Sequence, residues 1–332
     1  AVGLRSDLQE CLNRLEQGRN GAAGKIEAFP IARRDTANRF SIPQKLYGRD
    51  GEIQQLMDVY QEVAAGGATS VVLVSGYSGI GKSALVNEVH QPIVRSAGNF
   101  VSGKFEQYRR GIPYASLIEA FRSMVRRLLA ESPEQIEIWR ERLREALGVN
   151  AQVVADVIPE IELIVGAPAP VPELPAAEAR HRFNYTFQSF LRAFAAVEHP
   201  LVLFLDDLQW ADLPSLELIE LFARDRETRG LLLIGSYREN EVDAGHPLHV
   251  TLQRLREASG MVSLYELRLQ PLSRTDVGEL LGDVLRMAQE ETRELADFCL
   301  EKTQGNPLFV NQFLSSLHEQ GVIYQAGDGL RY

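Results

Sequence analysis

Eight consecutive residues, Gly76-Tyr77-Ser78-Gly79-Ile80-Gly81-Lys82-Ser83, have the types and spacing needed to hold a polyphosphate. Glycines let backbone N–H groups wrap an anion without side-chain hindrance, a lysine reaches the outer phosphates, and a hydroxyl at the next position serves Mg2+. Gly76, Gly79, Gly81, Lys82 and Ser83 supply all three, while Tyr77, Ser78 and Ile80 complete the loop and Ala84 opens the next segment. The plain alternative is a glycine-rich turn. Its context argues otherwise: the apolar run Val71–Ser75 precedes it, and the helical pattern Ala84–His90 would set a positive helix end against the phosphates.

Two more apolar runs end in polar residues. Leu201-Val-Leu-Phe-Leu closes on Asp206 and Asp207, and Leu231-Leu-Leu-Ile-Gly closes on Ser236, Tyr237 and Arg238. A residue at the C-terminal end of a strand in an open α/β sheet faces the ligand crevice. Asp206 can there hold the Mg2+ that bridges the phosphates, together with Ser83. Asp207 is the candidate to polarise an attacking water, with a helix cap or loop acid as its structural alternative. Arg238 either touches the terminal phosphate or forms a surface ion pair with Glu239 or Glu241. Lys82, Asp207 and Arg238 are thus the catalytic candidates.

The elements that must position these residues are also legible. Five short apolar runs read as buried parallel strands: Val71–Ser75, Phe100–Lys104, Leu201–Leu205, Leu231–Ser236 and Tyr265–Leu269. Helical patterns alternate with them, so the fold class is α/β, a five-stranded, mainly parallel sheet between helices. The long gap after the second run holds helical segments at Ser116–Leu129, Ile136–Leu147 and Ala177–Val197 and a proline-rich loop over 166–175, which reads as an insertion or lid. Beyond Pro271 the pattern is helical, with Ser273 as an N-cap candidate. The expected organisation is an N-terminal helix and linker over 1–42, a core over 43–270 with a helical insertion at about 113–198, a helical lid over 271–320, and the start of a further domain over 321–332 with a turn at Gly327-Asp328-Gly329.

Composition narrows the classes of partner. A net charge of −10 over 332 residues argues against a duplex-binding surface, so no nucleic acid is expected. No apolar run nears the ~20 residues that span a bilayer, and no signal peptide is visible. Cys11 and Cys299 match no metal-ligand spacing, and a cytoplasmic location without a disulfide is expected. The chain opens Ala-Val-Gly-Leu without Met and is expected to be a piece of something longer.

Tyr47-Gly48-Arg49-Asp50, the phosphate loop, Phe204–Asp212, Gly235–Arg238 and Gln304–Phe309 together resemble the STAND signal-transduction ATPases, an AAA-like branch of the P-loop nucleotidases. More narrowly, Ile42–Asp50, Gly103–Arg122 and Arg182–Phe194 are similar to the ATPase module of large bacterial sensor proteins. In those it follows a serine/threonine kinase domain and precedes helical repeats, a GAF domain and often a histidine kinase. The opening residues 3–18 are similar to the segment just after that kinase domain.

The resemblance implies that Arg49 lies near the nucleotide at the entry to the core, that Pro307 packs against the adenine, and that Gln209, Trp210 and Asp212 shape the segment after the metal-binding strand. Trp210 reads equally as a core anchor, and Gly305-Asn306-Pro307 as a helix-initiating turn. No arginine finger is identifiable, although Arg109 and Arg110 are candidates. ATP or ADP is favoured over GTP because no Asn-Lys-x-Asp motif is present.

The leading expectation is an ATP-binding, slowly hydrolysing regulatory switch within a larger signalling protein, whose partners are other domains of the same polypeptide and, in some states, further copies of itself. A small-molecule phosphotransferase and a nucleotide-stabilised scaffold are the alternatives. A protein kinase is excluded for this chain, which lacks both the catalytic-loop and metal-site signatures.

Overall fold

The computed structural model describes residues 11, 40–96, 98–109, 111–258, 262–326 and 329–332. Apart from residue 11, the N-terminal helix and most of the linker expected over 1–42 lie outside these residues, as do Arg110, the side chain of Arg109 and residues 327–328 of the expected turn. The chain divides into two units, one spanning Arg49–Gln270 and the other built from residues up to Gly48 and from Pro271 onward.

The first unit is organised by a sheet of five strands: β1 (Ser70–Ser75), β2 (Asn99–Lys104), β3 (Leu201–Asp206), β4 (Leu231–Tyr237) and β5 (Ser263–Arg268). Their spatial order is β2-β3-β4-β1-β5 and every neighbouring pair is parallel. β1, β3 and β4 are buried at every position, which explains why their sequences are unbroken apolar runs rather than alternating ones. β5 lies at the edge, is largely exposed, and ends one residue before the expected Leu269, whose N–H still bonds Ser75 O at 2.9 Å.

Helices α1 (Asp50–Ala64) and α2 (Lys82–Arg95) flank the first strand. Between β2 and β3 come α3 (Ala115–Leu128), α4 (Pro133–Leu147), two short helices α5 (Ala151–Ala155) and α6 (Glu162–Val165), and α7 (Ala176–Phe194). These form no separate lid. Phe121, Phe187, Phe190 and Phe194 are fully buried in one cluster with Val101, Leu201 and Leu203 of the sheet, and Phe121 meets Phe222 edge-on at 6.2 Å. The proline-rich loop interrupts helices that share this core. α8 (Leu213–Arg224) and α9 (Pro247–Glu257) complete the layers.

The second unit contains α10 (Arg274–Leu285), α11 (Arg293–Thr303), α12 (Pro307–Glu319) and the antiparallel pair β6 (Tyr324–Ala326) and β7 (Gly329–Arg331). Ser273 caps α10 in a reciprocal box with Asp276. Its core draws Leu281, Cys299 and Leu314 together with Tyr47, which arrives from the other side of the sheet unit in sequence. Tyr47 Oη donates to Asp283 at 2.8 Å, so the Tyr-Gly-Arg-Asp motif is divided between the two units after Gly48.

Candidate functional site

The phosphate loop leaves β1 and turns directly into α2. Gly76, Gly79 and Gly81 take φ values of 147°, 77° and 100°, a backbone that side chains strain to adopt. Gly76 is also tightly enclosed, since a Cβ there would lie 3.1 Å from Leu269 O and 3.0 Å from Ile80 Cγ2. The helix begins at Lys82, two residues before Ala84, so Lys82 and Ser83 stand in its first turn beside unpaired N–H groups. Lys82 is buried and its ammonium donates to Gly76 O at 3.0 Å and Tyr77 O at 2.8 Å. Burial pulls its pKa below the ordinary lysine range, with Asp207 opposing that shift and Arg238 adding to it.

The strand ends bring the remaining candidates to the same place. Ser83 Oγ donates to Asp206 Oδ2 at 2.9 Å, joining the loop hydroxyl to the acid on β3. Ser236 on β4, one residue before the strand's end, donates to the other oxygen, Oδ1, at 2.5 Å. Asp207 follows in a left-handed conformation with φ 58° and caps no helix through its side chain. Gln209, wholly buried, spans the gap to β4: its Nε2 donates to Asp207 Oδ1 at 2.8 Å and its Oε1 accepts from Arg238 N–H at 3.1 Å. Arg238 pairs with Glu241 at 2.8 Å, lies 3.4 Å from Asp207 Oδ1, and sits over the Trp210 ring at 4.7 Å. The ion pair expected with Glu239 or Glu241 is thus made with Glu241, while the same guanidinium also faces Asp207. Trp210 is partly buried against the core, and Asp212 caps α8 by accepting from Ser215 N–H at 2.9 Å.

Lys104 is the residue that sequence reasoning missed. It ends β2 in register with Asp206, and its ammonium lies 3.2 Å from Asp206 Oδ2 and 3.0 Å from Asp207 Oδ2. Burial alone would lower its pKa, but the hydrogen bonds and charges of the two aspartates reverse this and raise it. Burial likewise pushes Asp207 up, yet the bonds from Gln209 and Lys104 and the charges of Lys104 and Arg238 hold it below the usual carboxylate range. A carboxylate so stabilised is a weak proton acceptor near neutral pH and acts best by orienting a hydrogen-bond donor.

Arg49 is buried at the start of α1. Its guanidinium donates to Gln270 O at 2.5 Å and reaches Ile80 O of the loop at 3.5 Å, so it ties the loop to the residues where the chain enters and leaves this unit. Pro307 belongs to the helical unit and occupies the first position of α12 behind the Asn306 cap. Gly305 before it has φ 73° and no space for a Cβ, which would lie 2.4 Å from Leu272 O. That explains the glycine of Gln-Gly-Asn-Pro by packing alone.

The family model of the AAA ATPase domain matches residues 45–234. The chain belongs to the AAA ATPase domain family. This AAA ATPase domain is 29% identical to the hybrid signal transduction histidine kinase G of Dictyostelium discoideum, over an alignment covering 90% of this chain and 10% of that protein. It is 20% identical to the peroxide stress-activated histidine kinase mak3 of Schizosaccharomyces pombe, covering 97% of this chain and 16% of that one. The chain therefore spans a small fraction of the length of these relatives. Cdc6p from Pyrobaculum aerophilum aligns with a TM-score of 0.49 at 13% identity, over 85% of this chain and 65% of that one.

Family membership brings nucleotide binding with it, and the residues present suit a nucleotide with Mg2+. The loop offers a backbone concavity that only glycines can line, and Ser83 with Asp206 forms a pair of hard oxygen donors. Mg2+ asks for few protein ligands, since phosphates and water complete its shell. No helix among the described residues is long and apolar enough to cross a membrane.

Proposed function

We propose that this AAA ATPase domain is a slow, STAND-type regulatory switch that binds ATP and ADP within a larger signal-transduction protein. The observation that carries this reading is the 2.9 Å hydrogen bond between Ser83 and Asp206, the two residues proposed to hold Mg2+. The kinase names of the two relatives agree with a signalling role, with the domain forming one part of a longer polypeptide.

In this proposal the loop amides and Lys82 hold the β- and γ-phosphates, while Ser83 and Asp206 hold Mg2+, which would neutralise charge as the terminal phosphate departs. Asp207 orients the attacking water and is itself held by the hydrogen bond from Gln209. Arg238 answers the terminal phosphate, and its bond from backbone to Gln209 links that response to Asp207. Arg49 steadies the loop through Ile80, and Pro307 is proposed as the adenine contact. The domain would signal because ATP and ADP favour different arrangements of its parts.

Titration of wild type and Lys82→Ala with a fluorescent ATP analogue and Mg2+ tests the reading. The variant should bind at least about 100-fold more weakly, given the loss of a buried charge-assisted contact; equal affinity would refute the site. A scaffold without turnover is the second reading, favoured by the contacts that already engage the Asp207 carboxylate from Gln209, Lys104 and Arg238. It predicts no phosphate release above a Lys82→Ala blank and no effect of Asp207→Asn on that release.

A further inference from the structure

Lys104 has a position that the proposed ATPase chemistry does not require. Asp206 and Asp207 are 7% and 5% exposed, so bulk water solvates neither carboxylate well. Buried charges demand partners, and the ammonium of Lys104 meets one oxygen of each. The oxygen it meets on Asp206 is Oδ2, the same atom that accepts from Ser83 Oγ. It therefore occupies the space beside the two proposed Mg2+ ligands. The Lys104 side chain is 58% exposed, so it can leave without disturbing packing.

We infer that Lys104 is a tethered counter-ion that stands in the place of the divalent cation when no nucleotide is bound, and that metal entry displaces it. This rests on the assignment of Ser83 and Asp206 as metal ligands. Two cations cannot share Oδ2 at contact distance without strong repulsion, so lysine contact and metal occupancy exclude each other. Without nucleotide the pocket has little affinity for Mg2+, because the metal must first expel a covalently attached competitor. With nucleotide, the phosphates contribute the extra ligands that let the metal win, and the released ammonium is free to approach the anionic nucleotide. Lys104 is in this sense a positioning residue for charge, and it makes metal binding conditional on nucleotide.

The test counts free Mn2+ by electron paramagnetic resonance as the metal is titrated into nucleotide-free protein, for wild type, Lys104→Gln, Lys104→Met and Lys104→Arg. The two neutral variants should bind Mn2+ alone roughly three- to tenfold more tightly than wild type, the effect of removing one partly solvated ion pair. Lys104→Arg should behave as wild type. Thermal unfolding in EDTA should fall for the neutral variants and be restored by Mn2+, which a merely structural lysine would not give. Unchanged Mn2+ affinity in both neutral variants, or destabilisation that Mn2+ does not repair, overturns the inference, as does an arginine variant that matches them. The underlying assignment is checked separately: if wild type with added ATP takes up no more Mn2+ than ATP alone explains, the Ser83–Asp206 site itself is wrong.

Discussion

Replacing Gln209 by alanine would remove the bridge between the ends of β3 and β4. Its amide gives one hydrogen bond to the Asp207 carboxylate and accepts one from the Arg238 N–H. The Arg238 N–H, left without that acceptor, costs about 1–3 kcal/mol, and the bond to an ionised partner contributes about 1.5–3 kcal/mol. With the vacated volume included, the loss should be about 3–5 kcal/mol. Both tryptophans of the chain, Trp139 and Trp210, lie in the sheet unit, so urea unfolding followed by their fluorescence reports that unit alone. At a slope of about 2–3 kcal/mol/M the midpoint should fall by roughly 1–2.5 M. Gln209→Leu keeps the volume and isolates the polar part, which should still cost about 2–4 kcal/mol. If Gln209→Leu unfolds at the wild-type midpoint, the amide bridge does not hold the two strand ends and the account of Asp207 built on it falls.

Two further expectations concern groups outside the site. Burial pushes Asp225 up, but hydrogen bonds from Arg192, Thr228 and the Glu227 N–H outweigh it and hold the carboxyl low. Its contribution is therefore complete above the ordinary aspartate pKa and lost as pH falls through the depressed value, so Asp225→Asn should cost about 1–3 kcal/mol at pH 7 and progressively less below pH 4. A gap between variant and wild type that stays constant in urea melts from pH 7 to pH 3 would refute it. Cys299, fully buried with its thiol pushed up to about 12 by burial, should react with a disulfide reagent at pH 8 only as the helical unit opens. Rapid labelling of the native protein would contradict that packing.

β1, β3 and β4 were legible because parallel strands covered on both faces must be apolar throughout, and the loop because its chemistry permits few residue types. Register was not legible. Lys104 looks like the solvated end of a strand until β2 is laid beside β3, when it falls opposite Asp206, a partner far away in sequence. The state of Asp207 was hidden for the same reason, since the groups that depress its pKa come from three different strand ends. Ser236 was visible as a polar residue closing a strand, yet its bond to Asp206 depends on β4 lying next to β3. The insertion was legible as helical, but whether it stands apart as a lid was not, because only tertiary packing shows its aromatic residues entering the main core.

The division of the chain after Gly48 and before Pro271 has a consequence for how the molecule comes to be. The helical unit needs Tyr47 from one side and Leu272 onward from the other, so it cannot finish until all of Arg49–Gln270 has been made. Bringing the ends of so long an unfolded stretch together would cost roughly 5 kcal/mol of chain entropy. Once the sheet unit has folded, the Arg49 guanidinium is already bonded to Gln270 O, and the two crossing points are held side by side. During synthesis, then, the order is set by topology: the phosphate-binding unit folds first, and in doing so closes the loop on which the helical unit is assembled.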